Sequence, residues 1–306
     1  MKRINGKEIA QRLSNENPKI RDKIWNETKT MLNHQEIKDE DEMREIWIGI
    51  YFWYWHSDGK EYQQQVRNEI TSLMDKTVIS NQQYVFMYLR CGLELLEEYW
   101  DGIDYVRIVK YERLLCQMIQ KYLYYIACHD WNVEMINEWN EYLLTNIVTL
   151  KKQPKSLSLA VKIADYYYDY LNDVVYIDEA PEPPAESKEA LSQLLKRYLR
   201  NGRVESLHKS FVEAQNRLQT EIYQPIGLGE YVKEVVINPV KEYNKLPNFG
   251  LGMERVEKMK AYRAEKRRKR DEQRKKKEER KKRKEAKKEK EKEEKKPKKE
   301  TVEKDE

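Results

Sequence analysis

The sequence predicts an all-α protein, an irregular α-solenoid of the HEAT or armadillo type built from antiparallel helix pairs. Three observations predict it. Apolar residues recur at helical spacing along most of the chain, and proline and glycine are scarce before Pro154. No run alternates apolar and polar residues in the manner of a strand. Helix pairs recur about every 40 to 50 residues, the size of one solenoid unit.

Each element has its own start signal or stripe. Asn17 before Pro18 has the form of an N-cap and first helical position, opening a helix through Ile20, Ile24, Trp25 and Leu32. Further helices are expected at about 40 to 56 and 61 to 77. Ser80 and Gln83 fit a capping box ahead of YVFMYLRCGLELLEEYW. Asp104 is the expected cap of a long helix through Val106, Val109, Leu114, Ile119 and Leu123. Helices at about 132 to 150, 157 to 173, 188 to 201 and 203 to 218 complete a scaffold domain over 1 to 218. Within it, the acidic, proline-rich stretch at about 174 to 187 reads as an exposed linker. Residues 219 to 254 carry Pro225, Gly227, Gly229, Pro239, Pro247, Gly250 and Gly252, and read as an extended arm with at most one short helix.

Residues 46 to 58, IWIGIYFWYWHSD, hold more aromatic side chains than one helix stripe can hide. Each buried aromatic removes roughly 150–250 Å² from water, so this segment must touch neighbours on several sides. Trp47 and Trp55 are expected to be chiefly core. Phe52 and Trp53 look elsewhere on the helix and are the candidates for docking a partner. Gly49 between bulky neighbours is expected to allow a close helix approach, and Asp58 to cap a turn or the next helix.

The overall charge of +5 conceals a division. Residues 255 to 306 carry 27 Lys and Arg against 15 Asp and Glu, leaving 32 against 39 in residues 1 to 254. An acidic body therefore carries a basic tail. The tail has almost no apolar side chains and cannot build a core; pairs such as Glu278 with Lys282 support a solvated helix, and otherwise it is disordered. Its cations cluster as Lys266, Arg267, Arg268, Lys269 and Arg270, then Arg274, Lys275, Lys276 and Lys277, then Arg280, Lys281, Lys282, Arg283 and Lys284. These are candidates for RNA phosphate contact or nuclear import. With no aromatic after Tyr262, the tail has no stacking platform and does not read sequence.

Chemistry-bearing motifs are missing. His34, His56, His129 and His208 are scattered, and Cys91, Cys116 and Cys128 have no disulfide or zinc spacing. There is no phosphate loop, dinucleotide fingerprint or nucleophile elbow. A non-enzyme with no cofactor, no metal and no small-molecule substrate is expected. The amino-terminal MKRINGKEIAQRL lacks a signal-peptide apolar region, and the aromatic run is about half the roughly 20 residues that cross a bilayer, so no membrane association is expected.

Two blocks stand above a generic helical scaffold: MREIWIGIYFWYWHSDGKEYQQQV and, about fifty residues later, EEYWDGIDYVRIVKYERLL. Together the chain resembles the ribosomal RNA-processing protein 1 family, nucleolar helical proteins that assist maturation of the large ribosomal subunit. Trp47, Gly49, Tyr51, Trp55, Ser57 and Asp58 match the first motif; Trp100, Gly102, Ile103, Asp104, Arg107, Lys110 and Tyr111 match the second. The resemblance covers about residues 7 to 220. Gly59 and Lys60 depart from the family's usual Lys-Pro turn, and Lys162 stands where a histidine is usual. The resemblance implies a nucleolar assembly factor of the large-subunit preribosomal particle, with precursor rRNA and other assembly factors as partners. From the residues themselves, Arg107 and Lys110 lie one turn apart and suit either phosphate or partner contact, or pairing with an acidic neighbour. An α-solenoid adaptor outside ribosome assembly, with the tail as an import signal, is the alternative.

Overall fold

Asparagine, aspartate and serine at helix entrances set the frame of this chain, because a short side chain there accepts a hydrogen bond from an otherwise orphaned backbone N–H. Asn5, Asn17, Asp39, Asn81, Asn132 and Ser156 all do so. The computed structural model describes residues 4–75, 79–220 and 226–233, and they fall in one compact unit. They form α1 (Gly6–Leu13), α2 (Pro18–Asn33), α3 (Glu40–Trp55), α4 (Lys60–Thr71), α5 (Gln82–Tyr99) and α6 (Ile108–Ala127). Then follow α7 (Val133–Tyr142), α8 (Leu157–Tyr176), α9 (Ala185–Asn201), α10 (Glu205–Leu218) and the single turn α11 (Gly229–Val232). Among the described residues there is no strand.

The helices pack two apart in the chain: α1 on α3, α3 on α5, α7 on α9, and α4 on α6, α6 on α8, α8 on α10. Side chains complete the two rows. Phe86 and Tyr142 rings meet 5.7 Å apart between α5 and α7, and Lys29 of α2 pairs with Glu69 of α4 at 2.7 Å. Odd and even helices thus form the two layers of an all-α solenoid, sharing one continuous core. Long-range side-chain bonds repeat the unit length. Trp25 to Glu69, Tyr111 to Tyr51, Asn140 to Ala190 and Arg217 to Asp169 each span between 44 and 60 residues.

Several local expectations are corrected. The cap of α5 is Asn81, which accepts from Tyr84 N, and not Ser80. The helix expected to reach residue 77 stops at Thr71 and continues as a 3-10 turn, Ser72–Met74. The one expected over 132 to 150 widens into a π-turn at Leu143–Ile147. The interruption after α8 is only residues 177–184, and it is pinned down. Trp131 Nε1 donates to the Pro181 carbonyl at 2.7 Å, Ser187 Oγ donates to the Trp131 carbonyl at 2.6 Å, and Ala180 and Pro183 are buried.

At the far end, Ile226, Leu228 and Val232 are buried where α11 meets α9 and α10, and Gln215 Nε2 donates to the Val232 carbonyl at 2.7 Å. They cover an apolar face that a terminal solenoid helix otherwise leaves wet. The rest of the expected arm and the whole tail, including the basic clusters from Lys266 to Lys284, lie outside the described residues. No helix among the described residues is long and apolar enough to cross a membrane.

At Gly49 α1 and α3 come into close approach: a Cβ there meets the Ala10 Cα at 2.7 Å, and backbone has nowhere to move. Gly49→Ala is expected to lose about 1–3 kcal/mol through overpacking, despite alanine's better helix propensity. Gly102→Ala, with nothing within 4 Å of its added methyl, is the control and stays near wild type. Urea unfolding of the full chain checks both; equal stabilities contradict the close approach.

Candidate functional site

The two sequence blocks meet in space. The C-terminal half of α3 lies against the start of α6 and the end of α5, and the joint is made of tyrosines. Tyr51 and Tyr111 rings stack 4.9 Å apart; Tyr111 Oη donates to the Tyr51 carbonyl at 2.8 Å, and Tyr54 Oη donates to the Lys110 carbonyl at 3.0 Å. Each helix therefore anchors a ring on the other's backbone. Trp47 Nε1 donates to the Tyr88 carbonyl at 2.7 Å, and its ring lies over Gly92, where a Cβ meets it at 2.5 Å. Trp47 is core, as is Trp100; Trp55 is half-buried.

Trp53 is not a docking residue. It is 2% exposed, with its ring 4.7 Å from that of Trp25 on α2 and its Nε1 directed at Tyr62 Oη. On a helix with neighbours on four sides, the face opposite α5 is also interior. Phe52 does reach the surface, at 36% exposure, with its edge against the Tyr51 ring.

Lys110 is also corrected as a partner contact: it is 6% exposed, and its Nζ donates to the carbonyls of Trp55 at 2.8 Å and Ser57 at 3.0 Å. It closes the C-terminus of α3, where carbonyls lack intrahelical partners and the helix dipole favours a cation. Arg21 does the same beyond α1, donating to the carbonyls of Asn15 and Glu16. Burial pulls the Lys110 pKa down to about 8; Asp58 and Asp104 oppose that fall, and Arg107 adds to it.

Arg107 is half-buried. Its guanidinium lies 4.4 Å from the centre of the Trp55 ring and pairs with Asp104. Asp104 in turn accepts from the backbone N–H groups of Val106 and Arg107, so it caps the turn into α6 as expected from the sequence. Asp58 does not cap α4; the residue there is Gly59, at φ 82, with no side-chain bond, and Asp58 is exposed. Lys162 pairs with Glu112 at 3.1 Å, tying α8 to α6.

The clamp between α5 and α8 was not foreseen. Buried Glu97 accepts from the Lys155 backbone, and Asp101 accepts from the hydroxyls of Ser156 and Ser158. Burial raises the Glu97 pKa, while Lys155 opposes the shift. Also unforeseen is the polarity of the turn itself. Val106 and Val109, expected to extend the α6 core stripe, are 67% and 50% exposed, and Tyr105 is 88% exposed. The signal was in the spacing: 107, 110, 111, 114, 115 and 118 form one stripe, so the cations Arg107 and Lys110 continue the buried face.

Helices packed in two rows around an aromatic corner define an all-α, solenoid-like protein. The chain belongs to the family described as Nucleolar protein, Nop52, which matches residues 4–305. A ribosomal RNA processing protein 1 homolog of Drosophila melanogaster is 24% identical over 133 residues, 44% of this chain and 19% of that protein. The homolog B of Mus musculus is 20% identical over 172 residues, 55% of this chain and 23% of that one. The homolog A of Homo sapiens is 25% identical over 108 residues, 35% and 23% of the two chains. The matched stretch spans about a fifth of the length of these relatives.

Two outcomes follow from the geometry. Trp53→Ala is expected to cost about 3–5 kcal/mol and Lys110→Ala about 1–3 kcal/mol, the latter by leaving buried carbonyls unpaired; Phe52→Ala costs far less. Denaturant midpoints with unchanged m-values check this, and a Phe52 effect as large as that of Trp53 contradicts it. Alkali gives the second. Burial holds the Tyr51 and Tyr84 hydroxyls protonated to about 12, against 10.0 for a free tyrosine. Above pH 10 the unfolded chain loses protons that the native chain keeps, so stability falls as pH rises. Tyrosinate absorbance and helix circular dichroism should then change together; tyrosinate appearing fully near pH 10 with helices intact contradicts it.

Proposed function

We propose that this protein is a non-catalytic assembly factor in maturation of the large ribosomal subunit, a helical scaffold that joins a preribosomal particle through its body and holds precursor rRNA with its basic tail. The observation that carries this reading is the meeting of the two motif blocks in one rigid corner, in a chain whose family match runs from 4 to 305. The names of the relatives point to ribosomal RNA processing. The division of labour follows from charge: the body's acidic balance suits protein neighbours, and the tail's surplus of twelve positive charges suits phosphate. Other assembly factors are the protein partners in this reading.

A scaffold role also agrees with the state of the reactive side chains. Burial pushes the Cys91 thiol up to about 12 and that of Cys116 to about 11, the reverse of what activates a nucleophile. His129 Nδ1 lies 2.8 Å from the Tyr125 carbonyl and is spent locally.

Sedimentation of nucleolar extract containing the tagged protein, and separately depletion of the protein, test the reading. It expects co-migration with large-subunit precursors and accumulation of unprocessed precursor rRNA. Migration only as a free protein, with normal rRNA processing after depletion, overturns it. The tail has its own test: if it neutralises about 6–10 phosphates, RNA affinity of the full chain falls roughly 10³- to 10⁵-fold between 50 and 200 mM salt. Replacing the fourteen clustered cations, Lys266 to Lys284, by glutamine should flatten that dependence; an unchanged slope removes the tail from RNA binding.

A further inference from the structure

The turn from α5 into α6 is inside out. Lys110 is buried and satisfied inside the fold, and half-exposed Asp104 and Arg107 are paired with each other, Arg107 lying over Trp55, while Tyr105, Val106 and Val109 stand in solvent. Nearby, Phe52 and Tyr99 are also exposed, and both rings rest on buried Tyr51 at 5.3 and 5.2 Å. Five of the nine large apolar side chains exposed among the described residues thus belong to the elements that converge on Tyr51 and Trp55. Exposed apolar residues scattered singly are ordinary; a rigid cluster of them is the mark of a contact surface.

Charge decides what covers it. Residues 52–60 and 97–110 hold five carboxylates, Asp58, Glu97, Glu98, Asp101 and Asp104, against Lys60, Arg107 and Lys110. Lys110 is buried under α3 and Arg107 is paired to Asp104, so the exposed rim carries Asp58, Glu98 and Asp101 against the single Lys60 around the apolar centre, Glu98 itself paired to Arg44. Such a rim repels a phosphate backbone and attracts lysine and arginine. We propose that this corner is a docking site for a protein segment that lays apolar side chains on Tyr105, Val106 and Val109 and sets flanking lysines or arginines against the rim. The proposal deepens the scaffold reading and rests on it: this is the face by which the body joins its particle, and the partner there is protein, not RNA.

Photocrosslinking tests it in the full chain. The Tyr105→p-benzoylphenylalanine variant, expressed in cells and irradiated, should form adducts with one or two reproducible protein segments. Mass spectrometry should find in each an apolar cluster within a few residues of lysine or arginine. The same probe in a Val106→Asp, Val109→Asp background should lose at least nine-tenths of the adduct, while circular dichroism and thermal midpoint stay close to the parent's, since both valines are exposed. Adducts with RNA, with a second copy of this chain, with acidic segments, or no reproducible adduct overturn the proposal. The sedimentation result separates the two levels. Co-migration with precursors and an RNA adduct at 105 sinks the docking proposal alone; a basic and apolar protein adduct without co-migration sinks the ribosomal reading alone.

Discussion

Helix α3 is packed against neighbours on every side but the one where Phe52 surfaces, and the rest of the fold is arranged around that constraint. Gly49 lets α1 approach to van der Waals contact, and Trp47 fills the space that Gly92 leaves on α5. Tyr51 and Tyr54 engage α6, and Trp53 packs at a tilt against Trp25 of α2. A helix enclosed in this way must carry large side chains in every direction except where a neighbour's backbone comes close, which is why six aromatics crowd around one glycine. Burial of those rings supplies the apolar area, and the polar tips of Trp47, Trp53 and Tyr54 each find a backbone carbonyl or side chain, so that part of the gain is not given back as unpaired donors.

Enclosure of α3 has a consequence at its C-terminus. The last carbonyls of a buried helix have no water to turn to. Lys110 and Ser57 satisfy or occupy them: Lys110 reaches across from α6, and Ser57 Oγ folds back onto the Trp53 carbonyl. Drawing Lys110 and Arg107 inward fixes the rotation of the first turn of α6, and that rotation places Val106 and Val109 outside. The exposed apolar corner is therefore a by-product of how α3 is closed, held rigid by the same bonds. Stability and surface presentation share residues here, and a change at Lys110 affects both.

Much of this was legible in the sequence. The helical class, the bounds of α2 and α3, the start of α8, the cap at Asn17, the cap at Asp104 and the core role of Trp47 follow from spacing and cap chemistry alone. What escaped did so for identifiable reasons. Trp53 is apolar on a face that isolated-helix reasoning assigns to solvent, and only the presence of α2 buries it. Lys110 and Arg107 were read by charge, although their spacing to Tyr111, Leu114 and Leu115 put them on the buried stripe. The linker pinned by Trp131 depends on a backbone carbonyl, which no side-chain pattern reports. The Glu97 and Asp101 clamp joins residues more than fifty apart, beyond any local signal.

The central claim, that α3 is the enclosed helix on which the body depends, is tested most directly by native-state hydrogen exchange of the full chain across a series of low denaturant concentrations. The account expects the amides of residues 47–54 to exchange only through global unfolding, with the same free energy and denaturant slope as the whole body. If α3 exchanges through a local opening while α9 and α10 remain protected, the fold does not hang on α3 and the account fails.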